Sequence, residues 1–144
     1  MMTKAMMTFA TAALLFAGAA KADIRHVVMF KYQPQVEAST KAEIAKRFIG
    51  LKDLAKREGK PYIVSIVGGK AISKEGFDQG FEDAFIVTFK TKSDRDYFVG
   101  RPYQEEMDPD HQALAKIAEP LLLRDAQGKD VGLFAFDFDD EAGR

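Results

Sequence analysis

The sequence contains no cysteine. This absence excludes disulfide bonds, thiolate metal sites and a cysteine nucleophile. Histidine is scarce as well, since only His26 and His111 occur and 84 residues lie between them, which is no metal-ligand spacing. We therefore expect no metal and no other cofactor, and stability has to come from packing and assembly.

An excess of positive charge is also lacking. The chain has 21 basic and 22 acidic side chains, a formal charge of −1 at neutral pH. Residues 1–22 hold two of the lysines and no acidic residue, so the remainder carries 19 basic and 22 acidic side chains, or about −3. This balance does not favour nucleic acid as a partner, because binding to phosphates depends on lysine and arginine.

The one long apolar run lies at the start of the chain. Lys4 precedes an almost unbroken series of apolar and small residues at 6–20, and Ala20-Lys21-Ala22 supplies small residues at the positions that a signal peptidase reads. An uncleaved membrane anchor is the alternative, but the run is shorter than the ~20 residues of a membrane span. We expect residues 1–22 to be a signal peptide and the mature protein, starting at Asp23, to be periplasmic or secreted without membrane attachment.

The rest of the chain fits a single domain. Hydrophobic residues make up 47% of the sequence, which argues against disorder, and the length after residue 22 suffices for one buried core. We place this domain at residues 23–138. Residues 139–144 form an acidic end that we expect to be a disordered tail.

The first strand is predicted from Ile24 to Tyr32. Side chains alternate along a strand, so one face carries Ile24, His26, Val28, Phe30 and Tyr32, and the other carries Arg25, Val27, Met29 and Lys31. Both faces are largely apolar in the middle of the strand. Each face therefore needs a cover.

Further strands are predicted at residues 62–70, 83–91 and 131–138, the last with Phe134, Phe136 and Phe138 on one face. The pair Gly68-Gly69 indicates a bulge or a close backbone approach in the second strand.

Helices are predicted from Thr40, with a capping box to Glu43, to about Gly59, in a short segment at 93–100 capped by Ser93, and at 110–122. The buried stripe of the last helix is expected to be Leu114, Ile117, Ala118 and Leu121.

The order of these elements predicts an α+β, ferredoxin-like βαββαβ fold, a four-stranded antiparallel sheet with its helices on one face. The second face would be an apolar patch far larger than monomers usually expose. A two-fold homodimer covers it most simply. We expect Asp in place of Phe136 or Val28 to disrupt association and stability together.

Several short motifs then give the chain a family resemblance. They are His26-Val-Val-Met-Phe-Lys31, Gly69-Lys70, Gly80-Phe81, Asp108-Pro109-Asp110-His111, Glu119-Pro120-Leu121-Leu122 and Phe136-Asp137-Phe138. In this order they resemble the stress-responsive A/B barrel (Dabb) family, over nearly all of residues 24–138. The resemblance implies a dimeric α+β barrel.

The resemblance also implies site residues. Plant polyketide cyclases of this family use a histidine and a tyrosine, in a cavity inside each subunit, as acid and base in an aldol closure. The resemblance places His111 on the site histidine and Tyr97 on the site tyrosine. The sequence departs from the family's His-Pro-x-His stretch, because Asp108 replaces its first histidine and residues 100–107 look like an insertion.

Residues of the predicted interior are candidates for the ligand site. They are His26, Val28, Phe30 and Phe85. A buried histidine needs a polar partner, since an unpaired buried group costs ~1–3 kcal/mol, so His26 either lines a cavity or is a satisfied structural residue. His111 is either functional or a solvated residue at the start of a helix, and Tyr97 and Tyr103 are either site residues or packing at the rim.

Three functions remain open from the sequence. The first is an exported dimer that binds a small apolar molecule, with or without cofactor-free lyase or cyclase chemistry. The second is a stress-protective or assembly protein in which the barrel is only a dimer interface, and the third is a cofactor-free monooxygenase. A cavity of about 300 Å³ or more touching His111 or His26 would favour the first and third, whereas a filled interior would favour the second.

Overall fold

The computed structural model of the protein describes residues 22–140. The elements are β1 (Ile24–Phe30), α1 (Ala38–Leu54), β2 (Ile63–Lys70), β3 (Asp83–Phe89), α2 (Lys92–Val99), α3 (Pro109–Ala118) and β4 (Leu133–Asp139), and a 3-10 turn, Glu119–Leu121, follows α3. The strands form one antiparallel sheet in the order β2-β3-β1-β4. The predicted ferredoxin-like α+β fold is confirmed. Among these helices none is long and apolar enough to cross a membrane.

The face of the sheet that the helices cover holds the core. Val28 of β1 lies opposite Phe85 of β3 and Ala135 of β4, and the alternate residues of β1 are buried as predicted. The long helix α1 contributes Ile44, Phe48 and Leu51 to this core, and α3 contributes Leu114 and Ala118. The β-branched and aromatic side chains of the strands thus pack against one apolar stripe of each helix.

The other face of the sheet has no cover in the described chain. Val27 pairs with Ile86 and Phe136 on this face, which we call the open face. Its most exposed apolar members are Val67, Phe134, Phe136 and Phe138, with 39–58% of their surface accessible. The pairing also corrects one expectation: Val28 lies in the helix-covered core, so Val28 and Phe136 have different roles.

The ends of α1 differ from the predicted ones. The Lys41 N–H already bonds to the Glu37 carbonyl, so the helix begins at Ala38 and Thr40 does not cap it. The helix ends at Leu54 rather than near Gly59. Gly59, at φ +75°, instead lies with Glu58 in a tight turn whose two central residues are both left-handed.

Side-chain caps define the two later helices. Thr91, rather than Ser93, caps α2 by accepting the Asp94 N–H at 3.1 Å. Asp108 caps α3, and Pro109 follows at the first helical position, where its missing N–H costs nothing. The predicted buried stripe is wrong at Ile117, which is 47% exposed, whereas Leu114 and Ala118 are buried in the core.

Two strand details also bear on the predictions. The register shift in β2 lies between Ile63 and Ser65, whereas Gly68 is the close approach, since a Cβ there would lie 2.3 Å from the Phe85 ring.

The predicted tail begins too early, because Asp139 belongs to β4 and the Asp140 N–H bonds to the Asp23 carbonyl. Residues 1–21 and 141–144, which include most of the predicted signal peptide and the rest of the tail, lie outside the described residues.

Candidate functional site

A cavity of about 240 Å³ lies between the sheet and α3. Its walls come from β1, β4, α1, α3 and the segment that joins α2 to α3, and they include His26, Val28, Phe30, Phe48, Val99, Arg101, Met107, His111, Leu114 and Leu133. Three small residues, Ala115, Ala118 and Ala135, also line it. Space remains here because these methyl side chains do not reach across the gap that larger residues fill elsewhere in the core.

His26 is held by a carboxylate in one wall of this cavity. Its Nδ1 lies 2.6 Å from Oδ1 of Asp137, the residue directly opposite on β4. A carboxylate only accepts hydrogen bonds, so Nδ1 carries a hydrogen and Nε2 is the ring nitrogen that does not face Asp137. The partner that a buried histidine requires is therefore Asp137.

Asp137 is held in turn by two further donors. Its second oxygen, Oδ2, accepts from Nη1 of Arg95 at 2.6 Å and from the Tyr103 hydroxyl at 3.0 Å. Burial alone would raise the pKa of Asp137. The hydrogen bonds from His26 and Tyr103 and the positive charge of Arg95 together outweigh burial, so the pKa of Asp137 is lowered. The carboxylate thus stays charged beside His26.

His111 lies on the cavity wall at the start of α3. Its ring stacks on Phe98, with 3.9 Å between centroids and 9° between planes, and Nδ1 lies 2.7 Å from the Phe98 carbonyl oxygen. A carbonyl also only accepts, so Nδ1 is again the protonated nitrogen and Nε2 carries the lone pair. Burial, aided by the nearby His26, lowers the pKa of His111 to about 4. The ring is therefore neutral, and a proton acceptor, at ordinary pH.

The structure brings together four of the six predicted site residues. His26, Val28, Phe30 and His111 all line the cavity. Phe85 does not, because its ring is fully buried against Phe48, with 4.4 Å between centroids.

Tyr97 does not form the predicted pair with His111. It is absent from the cavity lining, and its hydroxyl lies 3.4 Å from the carbonyl of Lys56 while its ring packs edge-on to Tyr62. The side chain of Tyr97 therefore leaves α2 towards the chain that follows α1. The histidine–tyrosine pair that the family resemblance implies is therefore not formed in this structure.

Sequence reasoning missed two residues near His26, namely Asp137 and Arg95, and it considered Tyr103 only as a site residue or as packing at the rim. Asp137 had a signal, since it is an acidic residue at a position that alternates with the phenylalanines of the open face and so points to the interior. Its partner depends on the register between β1 and β4, which no local pattern gives. Tyr103 lies in the segment between α2 and α3, and only the fold brings it to Asp137.

Two other features of the molecule bear on where a ligand or a metal ion could bind. A larger concavity of about 590 Å³ lies beside Arg57, Lys60 and Lys90, but it is an open surface groove and contains neither histidine. Within residues 22–140 no group of three or more acidic or histidine side chains is arranged to hold a metal ion. The cavity beside the two histidines is the better candidate site because ligand sites are concave and mostly apolar, with a few convergent polar groups.

Comparison with known proteins identifies the family. The model of the Stress responsive A/B Barrel Domain matches residues 24–140, from the first residue of β1 to the residue after β4. The chain belongs to this family. Among curated proteins, no sequence matches the chain.

Several solved structures share the Dabb fold of this chain. A hydroxynitrile lyase from Passiflora edulis has a TM-score of 0.66 at 17% identity, over 86% of this chain and 98% of that one. A dimeric ferredoxin-like protein of unknown function from Jannaschia has a TM-score of 0.59 at 17% identity, over 81% and 97%. A Dabb family protein from Mesorhizobium loti has a TM-score of 0.55 at 14% identity, over 82% and 96%. At such identities the likeness shows the fold alone.

Proposed function

We propose that this Dabb domain binds a small, mostly apolar molecule with a hydroxyl or carbonyl group, and exchanges a proton with it in cofactor-free lyase or cyclase chemistry. The observation that carries the proposal is the pair of histidines on one cavity, each with Nδ1 bonded to an acceptor and Nε2 free to act. His111 is the proton acceptor, since its ring is neutral above about pH 4.

The size and lining of the cavity limit the ligand. Its 240 Å³ is less than the 300 Å³ used above to separate the functions, and equals about eight water volumes. The walls away from the histidines are apolar, with the charged Arg101 and Glu119 as exceptions. A compact ligand fits best, with its apolar part against Leu114 and its polar group towards the histidines.

Cleavage of an aromatic cyanohydrin is a direct test, because one protein of this fold is a hydroxynitrile lyase. In that reaction the base takes the hydroxyl proton, the bond between carbon and cyanide breaks, and the departing cyanide takes up a proton. We expect aldehyde release with the wild-type chain and a loss of about 10²- to 10⁴-fold in His111→Phe, since a general base contributes that much. Phenylalanine keeps the stack on Phe98.

Tyr97→Phe is the matched control. Its hydroxyl contacts the Lys56 carbonyl outside the cavity, so turnover should not change.

The acid limb of the pH profile of cyanohydrin cleavage should lie near pH 4, where His111 gains a proton, rather than near 6.5. Equal rates in wild type and His111→Phe would show that His111 takes no part in the reaction.

If no cleavage occurs, mass spectrometry of small molecules released on denaturation tests whether the cavity binds a ligand at all. A protein that releases no small molecule supports the protective or assembly alternative.

We also propose that the protein is a two-fold homodimer through the open face. The exposed Val67, Phe134, Phe136 and Phe138 support this, because so large an apolar surface is unfavourable in water. Three structures with this fold are described as dimeric.

Export is the remaining proposal. Residues 1–22 have the composition of a signal peptide, and the folded domain starts beside the predicted cleavage site, where the Asp23 carbonyl accepts the Asp140 N–H. We expect the protein from a periplasmic or culture extract to begin at Asp23. Its intact mass measures this directly. A mass that still includes residues 1–22 would contradict cleavage, and absence of the protein from both extracts would contradict a periplasmic or secreted location.

A further inference from the structure

The segment between α2 and α3, residues 100–108, forms the outer wall of the cavity. Arg101 and Met107 line the cavity from this segment. It turns tightly at Gly100, at φ +72°, where a Cβ would lie 2.8 Å from the Cβ of Met107, and its far end is held by the hydrogen bond from Asp108 N–H to the Tyr97 carbonyl. This wall is the part of the sequence that looks like an insertion.

Tyr103 fastens the middle of the wall to the sheet. Its hydroxyl donates to Oδ2 of Asp137 at 3.0 Å, and its ring lies over the guanidinium of Arg95, 3.8 Å from Cζ to the ring centroid. Arg95 is buried, and it is neutralised by Asp96 at 2.8 Å and by Asp137 at 2.6 Å. The ring of Tyr103 thus covers a charge that would otherwise face water.

The carboxylate of Asp137 bonds both to Tyr103 in the outer wall and to His26 in the cavity. Oδ1 of Asp137 accepts from His26, while Oδ2 accepts from Arg95 and Tyr103. Donors on both oxygens fix the orientation of the carboxylate, and Tyr103 is the second donor on Oδ2 beside Arg95. Loss of the Tyr103 donor leaves only Arg95 on that oxygen, which weakens the hold on the carboxylate and on the His26 ring.

We propose that Tyr103 is a positioning residue: by bonding to Asp137 it closes the outer wall of the cavity and at the same time fixes the carboxylate that orients His26. The effect of Tyr103 on catalysis rests on the proposed function, but the link that its hydrogen bond makes between the outer wall and the Asp137 carboxylate does not. The groups that face Asp137 are His26 from β1, Arg95 from α2 and Tyr103 from the wall, with Asp96 behind Arg95.

Tyr103→Phe tests the coupling without any ligand. The substitution removes only the donated hydroxyl and leaves a ring that can still lie on Arg95. We expect the pKa of Asp137, followed by ¹³C NMR of its carboxyl carbon, to rise by about half a unit, since a charge-assisted donor is lost at a partly exposed position. Amide hydrogen exchange at residues 101–107 should become roughly fivefold faster as the wall opens more often.

Tyr97→Phe again provides the control, because its hydroxyl touches neither Asp137 nor the wall. It should change neither the carboxyl titration nor the exchange rates. The proposal requires both effects in Tyr103→Phe, so an unchanged Asp137 titration or unchanged exchange of the wall overturns it. Neither readout involves turnover, so a failure of the cyanohydrin assay leaves this result standing, and a failure here leaves the role of His111 standing.

Discussion

Phe136→Asp is expected to turn the protein into a folded monomer. Phe136 lies on the open face in the edge strand β4, opposite Val27, with 56% of its surface accessible in the single chain. In a two-fold dimer the substitution places two carboxylates in one apolar interface, and a charge buried without a partner is strongly unfavourable. The dissociation constant should rise by about 100-fold or more, measured by sedimentation at micromolar concentration.

Leu54→Asp is the matched control for this experiment. Leu54 has a similar exposure, 60%, but ends α1 on the helix side of the molecule. Its substitution should leave the dimer intact. Val28→Asp is expected to unfold the chain instead, because Val28 is buried in the core. A Phe136→Asp protein that associates as tightly as the wild type would show that the open face is not the interface.

Asp108→Ala is expected to cost about 3 kcal/mol in the free energy of unfolding. The carboxyl group is fully buried, and Oδ1 accepts the N–H groups of Asp110 and His111 at 2.9 and 3.0 Å. Oδ2 accepts the hydroxyl of Tyr62 at 2.7 Å. Alanine therefore removes the cap of α3, and it also leaves the hydroxyl of Tyr62, just before β2, without its acceptor. Urea unfolding at neutral pH measures the loss.

Two variants separate these contributions. Asp108→Asn keeps an oxygen for the helix cap and should cost about 1 kcal/mol. Thr91→Ala removes only the exposed cap of α2 and should also cost about 1 kcal/mol. If Asp108→Ala costs no more than Thr91→Ala, the bond to Tyr62 contributes nothing to stability and Asp108 is only a cap.

The role of Asp108 also explains how this chain departs from its family. The resemblance aligned Asp108 with a histidine of the His-Pro-x-His stretch, which left the site one residue short. In the structure the residue at that position anchors α3 and holds the backbone N–H of His111, while the second histidine of the cavity is His26 on β1. The motif predicted the location of one cavity residue, His111, and not which other residues line the cavity.

Local patterns in the sequence determined the order of the elements and the face of the residues in β1. Alternation in β1 correctly assigned Val28 to the interior and Val27 to the opposite face, because the period of two is a property of the strand itself. The same reasoning showed that the helices leave one face open. Helix ends were less well predicted, since Thr91 and Ser93 are both good caps and only the path of the chain selects between them.

Only the tertiary structure decided the composition of the site. Asp137 meets His26 because β1 and β4 pair in one register, and a shift by a single residue would turn the carboxylate to the open face. The hydroxyl of Tyr97 lies near the Lys56 carbonyl rather than near His111, and Tyr103 reaches Asp137 from the segment that joins α2 to α3. These contacts join residues 34 to 111 positions apart, and such distances in sequence leave no local pattern to read.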